Sequence, residues 1–82
     1  ARFIVTYEPL FAIGTGTADT PENADQMAKS IKNILGEIPV LYGGSVTSSN
    51  INGFSKMPNI DGVLVGKASL DPQEFTNIIK NA

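Results

Sequence analysis

The stretch Tyr7-Glu8-Pro9-Leu10-Phe11-Ala12-Ile13-Gly14-Thr15-Gly16 decides the reading of this chain. It places a carboxylate, Glu8, at the end of the β-branched and aromatic run Phe3-Ile4-Val5-Thr6-Tyr7. A run that is apolar on both faces suits a buried parallel strand. The residues that follow, 8 to 19, form a loop rich in Gly, Thr and Ala. A strand end holds a side chain still, while a loop beside it is free to close over it. That combination suits a general base under a lid.

Downstream, Thr20-Pro21-Glu22 is a helix start, with Thr20 as N-cap and Pro21 at the first helical position. Ala24, Met27, Ala28, Ile31, Ile34 and Leu35 recur at helical spacing as one apolar stripe, and Gly36 is a natural stop. Ile38-Pro39-Val40-Leu41-Tyr42 reads as a second strand, with Pro39 tolerated near its start and Gly43-Gly44 breaking it. Thr47 to Asn50 cap a short helix carrying Ile51, Phe54 and Met57 on one face, although Asn52-Gly53 is also a hairpin-turn signal. Gly62-Val63-Leu64-Val65 is a third strand, and Gly66 to Leu70 a turn. Asp71-Pro72-Gln73-Glu74 opens a last helix, with Glu74 placed to close a capping box and Phe75, Ile78 and Ile79 expected to face the core. Strand, loop and helix thus alternate three times, the pattern of an α/β fold built from parallel βα units with right-handed crossovers.

In such folds the strands' C-terminal ends share one side of the sheet. Those ends carry Glu8 with the Gly14–Thr17 loop, Gly43-Gly44-Ser45, and Gly66-Lys67. Small residues expose backbone N–H groups that together attract an anion, phosphate being the usual guest. A carboxylate shielded from water beside them would be a strong base. Each piece alone has a commoner structural reading: a surface acid for Glu8, a tight turn for Gly43-Gly44, a cap for Ser45, a solvated charge for Lys67. Gly14-Thr15-Gly16 also fails the dinucleotide-binding pattern, because Asp19 fills the position of its last glycine. Convergence of three loops carries the reading.

Composition narrows the alternatives. The 82 residues suffice for one small domain, which buries only about 60% of its unfolded surface. There is no cysteine and no histidine, so the chain supplies no disulfide, no thiolate or imidazole metal ligand and no Ser-His-Asp triad. Neither a metal nor a cofactor is expected. With a net charge of −2 and no basic run, nothing points to nucleic acid. No apolar stretch is long enough to span a membrane. The opening Ala1-Arg2-Phe3-Ile4-Val5 lacks the features of a signal peptide, so the expected compartment is the cytoplasm. It also lacks an initiator Met and leads almost directly into a strand, as expected of a piece of a longer protein.

Four blocks, Tyr7-Glu8-Pro9-x-x-Ala12-Ile13-Gly14-Thr15-Gly16, Thr20-Pro21-Glu22, Tyr42-Gly43-Gly44-Ser45-Val46 and Asp61-Gly62-x-Leu64-Val65-Gly66-x-Ala68-Ser69-Leu70, resemble the triosephosphate isomerase family in order and spacing. The resemblance covers nearly the whole chain and falls on the last three βα units of an eight-unit barrel. It implies that residues 1–82 are the C-terminal part of a (β/α)8 TIM barrel, an incomplete domain.

The same resemblance implies the chemistry. Glu8 would be the base that moves a proton between two neighbouring carbons of a small phosphorylated triose, interconverting glyceraldehyde 3-phosphate and dihydroxyacetone phosphate in glycolysis and gluconeogenesis. Pro9, Leu10 and Phe11 would form the lid's first hinge. Ala12, Ile13, Gly14, Thr15 and Gly16 would be its body, and Thr17, Ala18 and Asp19 its second hinge. Gly14, Ser45, Gly66 and Lys67 would donate backbone N–H groups to the substrate phosphate, while Tyr42 and Ser45 latch the closed lid. The parent enzyme would be a homodimer. Three departures stand out: Phe11 where the family usually has Trp, Thr17-Ala18-Asp19 where Lys-Thr-Ala is common, and Lys67 in place of a second glycine. The family's Asn, Lys and His partners come from earlier strands, so the chain by itself is expected to be inactive. The alternative expectations are a free, non-catalytic phosphate-binding or self-associating βα module and, third, another phosphate-handling barrel enzyme.

Overall fold

Three short strands run parallel in the order β1 (Val5–Tyr7), β2 (Val40–Gly43), β3 (Gly62–Leu64) in a computed structural model that describes residues 3–82. Ala1 and Arg2, the start of the expected barrel piece, lie outside the described residues. Tyr7 pairs with Tyr42 and Gly43 with Leu64, so the three C-terminal ends are level. β1 begins two residues later than the apolar run predicts. β2 begins after Pro39, which has no N–H for the ladder and instead accepts from the Val5 N–H at 3.0 Å.

Helices separate the strands as the sequence predicts. α1 (Pro21–Leu35) starts where the Thr20 hydroxyl accepts from the Asn23 N–H at 3.1 Å and stops at Gly36, whose φ of 94° suits glycine. α2 (Ile51–Ser55) forms despite Asn52-Gly53, because Ile51 and Phe54 are both fully buried. Thr47 to Asn50 do not cap it as expected: Asn50 is the N-cap, but its side chain turns back toward Ser45 and Thr47 instead of the helix. α3 (Pro72–Asn81) is capped by Asp71, which accepts from the Gln73 and Glu74 N–H groups. The expected capping box stays half made, since the Glu74 carboxylate turns away to Ser48.

The core lies on the helix side of the sheet. Val40 and Tyr42 point into it from β2, and Ala24, Ala28, Ile51, Phe54, Ile60 and Ile78 meet them. The Tyr42 and Phe54 rings stack at 4.1 Å. Only part of each helical stripe finds this core. Ala24, Ala28 and Ile31 pack, whereas Met27, Ile34 and Leu35 are exposed; Ile78 is buried, whereas Phe75 and Ile79 are not. A three-stranded sheet is narrower than the stripes laid across it. Alternation along the strands sends Leu41, Gly43 and Leu64 to the opposite face, where Leu64 is half-exposed.

Candidate active site

Glu8 leaves the end of β1 and lies over β2. A Cβ added to Gly43 would sit 3.1 Å from the Glu8 Cγ and 3.2 Å from its Oε1, so the absence of a side chain at Gly43 makes room for the carboxylate. The sequence suggests a shielded base; here Glu8 is exposed, with Gly43 close against one side of it.

Beyond Glu8 an open cleft of about 770 Å³ runs across the strand ends. Glu8, Gly14, Ser45, Gly66 and Lys67 all line it, so residues far apart in sequence meet at one place. Among the described residues, no hydrogen bond in turns, loops or caps is donated by the N–H of Gly14, Ser45, Gly66 or Lys67. Lys67 opens a single 3-10 turn, Lys67–Leu70, and its φ lies outside the left-handed region, so its Cβ causes no backbone strain where the family usually has glycine.

The loop between β1 and α1 is docked at both ends. Near its start a 3-10 turn, Leu10–Ala12, brings the fully buried Ala12 onto Gly44-Ser45. The Ser45 hydroxyl donates to the Ala12 carbonyl at 2.6 Å. A Cβ on Gly44, which has φ 145°, would come within 2.7 Å of the Ala12 Cβ. Near the loop's end the Asp19 N–H donates to the Tyr42 hydroxyl at 2.9 Å, and that hydroxyl donates to the Gly44 carbonyl at 2.7 Å. Leu10 and Phe11, just before the first anchor, and Ile13, just after it, are exposed, and Gly14 and Gly16 take positive φ at the tip. The Thr15 hydroxyl braces the tip by donating to the Phe11 carbonyl and accepting from the Thr17 N–H.

Ser45 is the one non-glycine residue with positive φ, 55°, among those described. That conformation costs a residue with a Cβ about 1–2 kcal/mol. Its hydroxyl bond to Ala12 and the bond its carbonyl accepts from the Asn50 side chain each contribute about 0.5–1.5 kcal/mol, enough together to offset the cost.

The resemblance would make Asp19 part of a second lid hinge, but the sequence does not reveal its connections. Its nearly buried carboxylate accepts from the Tyr7 hydroxyl, the Thr20 N–H and the Asn23 side chain. Burial, helped by this negative neighbour, holds the Tyr7 hydroxyl above its ordinary pKa. The Tyr42 hydroxyl is also raised, by burial first; the Asp19 N–H it accepts works the other way and the Asp19 charge adds to the rise. The Asn50 and Glu74 bonds to the Ser45–Ser48 turn carry no sequence signal of their own, since both residues read as ordinary cap positions.

A family model described as triosephosphate isomerase matches residues 1–82. Relatives bearing that name include those of Leifsonia xyli subsp. xyli, 48% identical over 98% of this chain and 34% of the relative, and Hahella chejuensis, 47% identical over 98% of this chain and 36% of the relative. That of Mycoplasmopsis agalactiae is 47% identical over 95% of this chain and 31% of the relative. The chain spans about a third of the length of these relatives.

Proposed function

The chain belongs to the triosephosphate isomerase family, and from that premise we propose that residues 1–82 supply the base, lid and phosphate loops of an enzyme interconverting glyceraldehyde 3-phosphate and dihydroxyacetone phosphate. The observation that supports this most is the position of Glu8: at a strand end, against Gly43, in the same cleft as Gly14, Ser45, Gly66 and Lys67. With the substrate phosphate on those N–H groups, the Glu8 carboxylate takes a proton from the carbon beside the carbonyl. The electron pair left behind forms the C=C of an enediolate. Glu8 returns the proton to the neighbouring carbon while the substrate's hydroxyl proton moves to the former carbonyl oxygen, so carbonyl and hydroxyl exchange places and the isomerisation balances without a cofactor.

The docked loop would be the lid. Its bonds from Ser45 to Ala12 and from Asp19 to Tyr42 would hold it over bound substrate, excluding water and suppressing loss of phosphate from the enediolate. The chain has no histidine, so the group that polarises the carbonyl would come from outside these 82 residues, and the chain by itself would be inactive. The wider reading is a homodimeric glycolytic enzyme of the cytoplasm.

The test is Glu8→Gln in the protein that carries this chain. Turnover is expected to fall by roughly 10²–10⁴-fold, the usual span for a positioned general base, with affinity for 2-phosphoglycolate largely kept. Turnover close to the parent's would remove Glu8 from the mechanism. The alternative of a non-catalytic phosphate-binding module draws on the same cleft. It would be favoured if 2-phosphoglycolate shifted the Gly14, Ser45 and Gly66 amide resonances while the Glu8→Gln protein and its parent were equally inert.

A further inference from the structure

Ser45 takes part in two features at once. It lines the cleft beside Gly14 and Gly66, and its hydroxyl anchors the loop at Ala12. Both depend on its left-handed backbone, which a serine does not adopt unaided. The side chain that meets this need is Asn50. Its amide nitrogen donates to the Ser45 carbonyl at 2.9 Å, and its amide oxygen accepts from the Thr47 N–H at 2.8 Å. One planar group thus closes the turn from both ends.

This turn is held from outside as well. The Glu74 carboxylate on α3 accepts from the Ser48 N–H at 2.9 Å and from its hydroxyl at 2.8 Å, and the Asn81 side chain donates to the Ser48 carbonyl at 3.0 Å. Asn50 itself adjoins Ile51, which is fully buried, so its backbone is a fixed point against which the turn is set. An asparagine at a helix N-cap ordinarily spends its side chain on the helix's own N–H groups. Here it makes no such bond.

We propose that Asn50 is a positioning residue for the anion site: by holding the Ser45 carbonyl it keeps Ser45 left-handed, which aims the Ser45 N–H into the cleft and its hydroxyl at the lid. The proposal rests on the phosphate reading of the cleft. It assigns Asn50 no contact with the ligand.

A double-mutant cycle in the protein that carries this chain tests it, with inorganic phosphate as probe. Asn50→Ala is expected to weaken phosphate binding about tenfold, the order of a lost, well-placed hydrogen-bond donor. In a Ser45→Gly background, where positive φ needs no support, the same substitution is expected to change affinity by less than about threefold. Asn50→Asp keeps the acceptor for Thr47 and loses the donor to Ser45. Measured in about 0.5 M salt, where its added charge is screened, it should match Asn50→Ala and carries the test if the alanine variant does not fold. Equal losses in both backgrounds would mean that Asn50 acts only on general stability, and unchanged affinity in the Asn50 variants would overturn the proposal outright. Failure of the parent to bind phosphate is a separate result, which removes the phosphate reading and this inference with it.

Discussion

The Tyr42 hydroxyl accepts from the Asp19 N–H at 2.9 Å across 23 residues of sequence and donates to the Gly44 carbonyl at 2.7 Å, tying the end of the β1–α1 loop to the turn after β2. Tyr42 is fully buried and stacked on Phe54, so its hydroxyl is a fixed post for the loop. Tyr42→Phe keeps the ring and removes the post, leaving the Asp19 N–H and the Gly44 carbonyl short of a partner. The expected cost is about 1–3 kcal/mol, concentrated on the loop. Denaturant midpoints and amide exchange at Asp19 and Ala12 measure it. Equal protection at both amides in variant and parent would show that the loop is held by Ser45 alone.

Alkaline pH acts on the same post. Burial raises the pKa values of Tyr42 and Tyr7, so the folded state favours the neutral phenol more than the unfolded chain does. That contribution is fully present below the unfolded value near 10 and is lost as pH rises through the raised folded values. Stability is therefore expected to fall on the alkaline side, with the loop loosening as Tyr42 loses the proton it gives to Gly44. Phenolate absorbance followed alongside amide exchange checks it. Titration of both tyrosines at the ordinary pKa would contradict it.

Acid acts elsewhere. Asp61 accepts from Lys32 at 2.8 Å and from the Val40 N–H at 2.9 Å, and these bonds, the lysine's first, hold its carboxyl below the ordinary aspartate pKa. The contribution is present above the unfolded value near 3.9 and is lost as pH falls through the lowered folded value. The Asp61 side chain is 41% exposed, so solvent limits the pair to about 1 kcal/mol or less. Lys32→Met should flatten the acid side of the stability–pH curve without moving its alkaline side. A parallel drop at every pH would mean that the lysine stem, and not the charge, was stabilising the fold.

The fold was largely legible because its signals are local. Thr20-Pro21 and Asp71-Pro72 start their helices where read, Gly36 ends one, and the apolar runs pair as parallel strands. Residues of the candidate site were legible through loop composition at strand ends, which topology then brings to one cleft. Illegible were the side chains that act across the chain. Glu74 reads as the partner of Asp71 three residues away, yet it bonds Ser48, because α3 packs beside that turn and two donors there outcompete one. The resemblance makes Asp19 a hinge residue, yet three donor groups converge on it through four hydrogen bonds once Tyr7 and α1 are in place. The exposure of Glu8 was equally out of reach, since cover depends on neighbouring elements rather than on the residue's own flanks.

Gly43 separates catalysis from stability in the proposed enzyme. Its φ is not in the left-handed region, so alanine is allowed there on backbone grounds. The added methyl would meet the Glu8 Cγ at 3.1 Å and Oε1 at 3.2 Å, with the Leu64 Cβ at an ordinary 3.4 Å. The yielding partner is Glu8, an exposed side chain with freedom to rotate, so the strand stays put and the carboxylate moves by a few tenths of an ångström. Proton transfer is sensitive to such a shift, since a misplacement of about 1 Å costs on the order of 10²-fold in rate. Gly43→Ala is therefore expected to lower kcat by roughly tenfold, leave phosphate affinity near that of the parent, and change the denaturant midpoint little. A large loss of stability with unchanged kcat per folded molecule would place the strain in the sheet and free Glu8 of it.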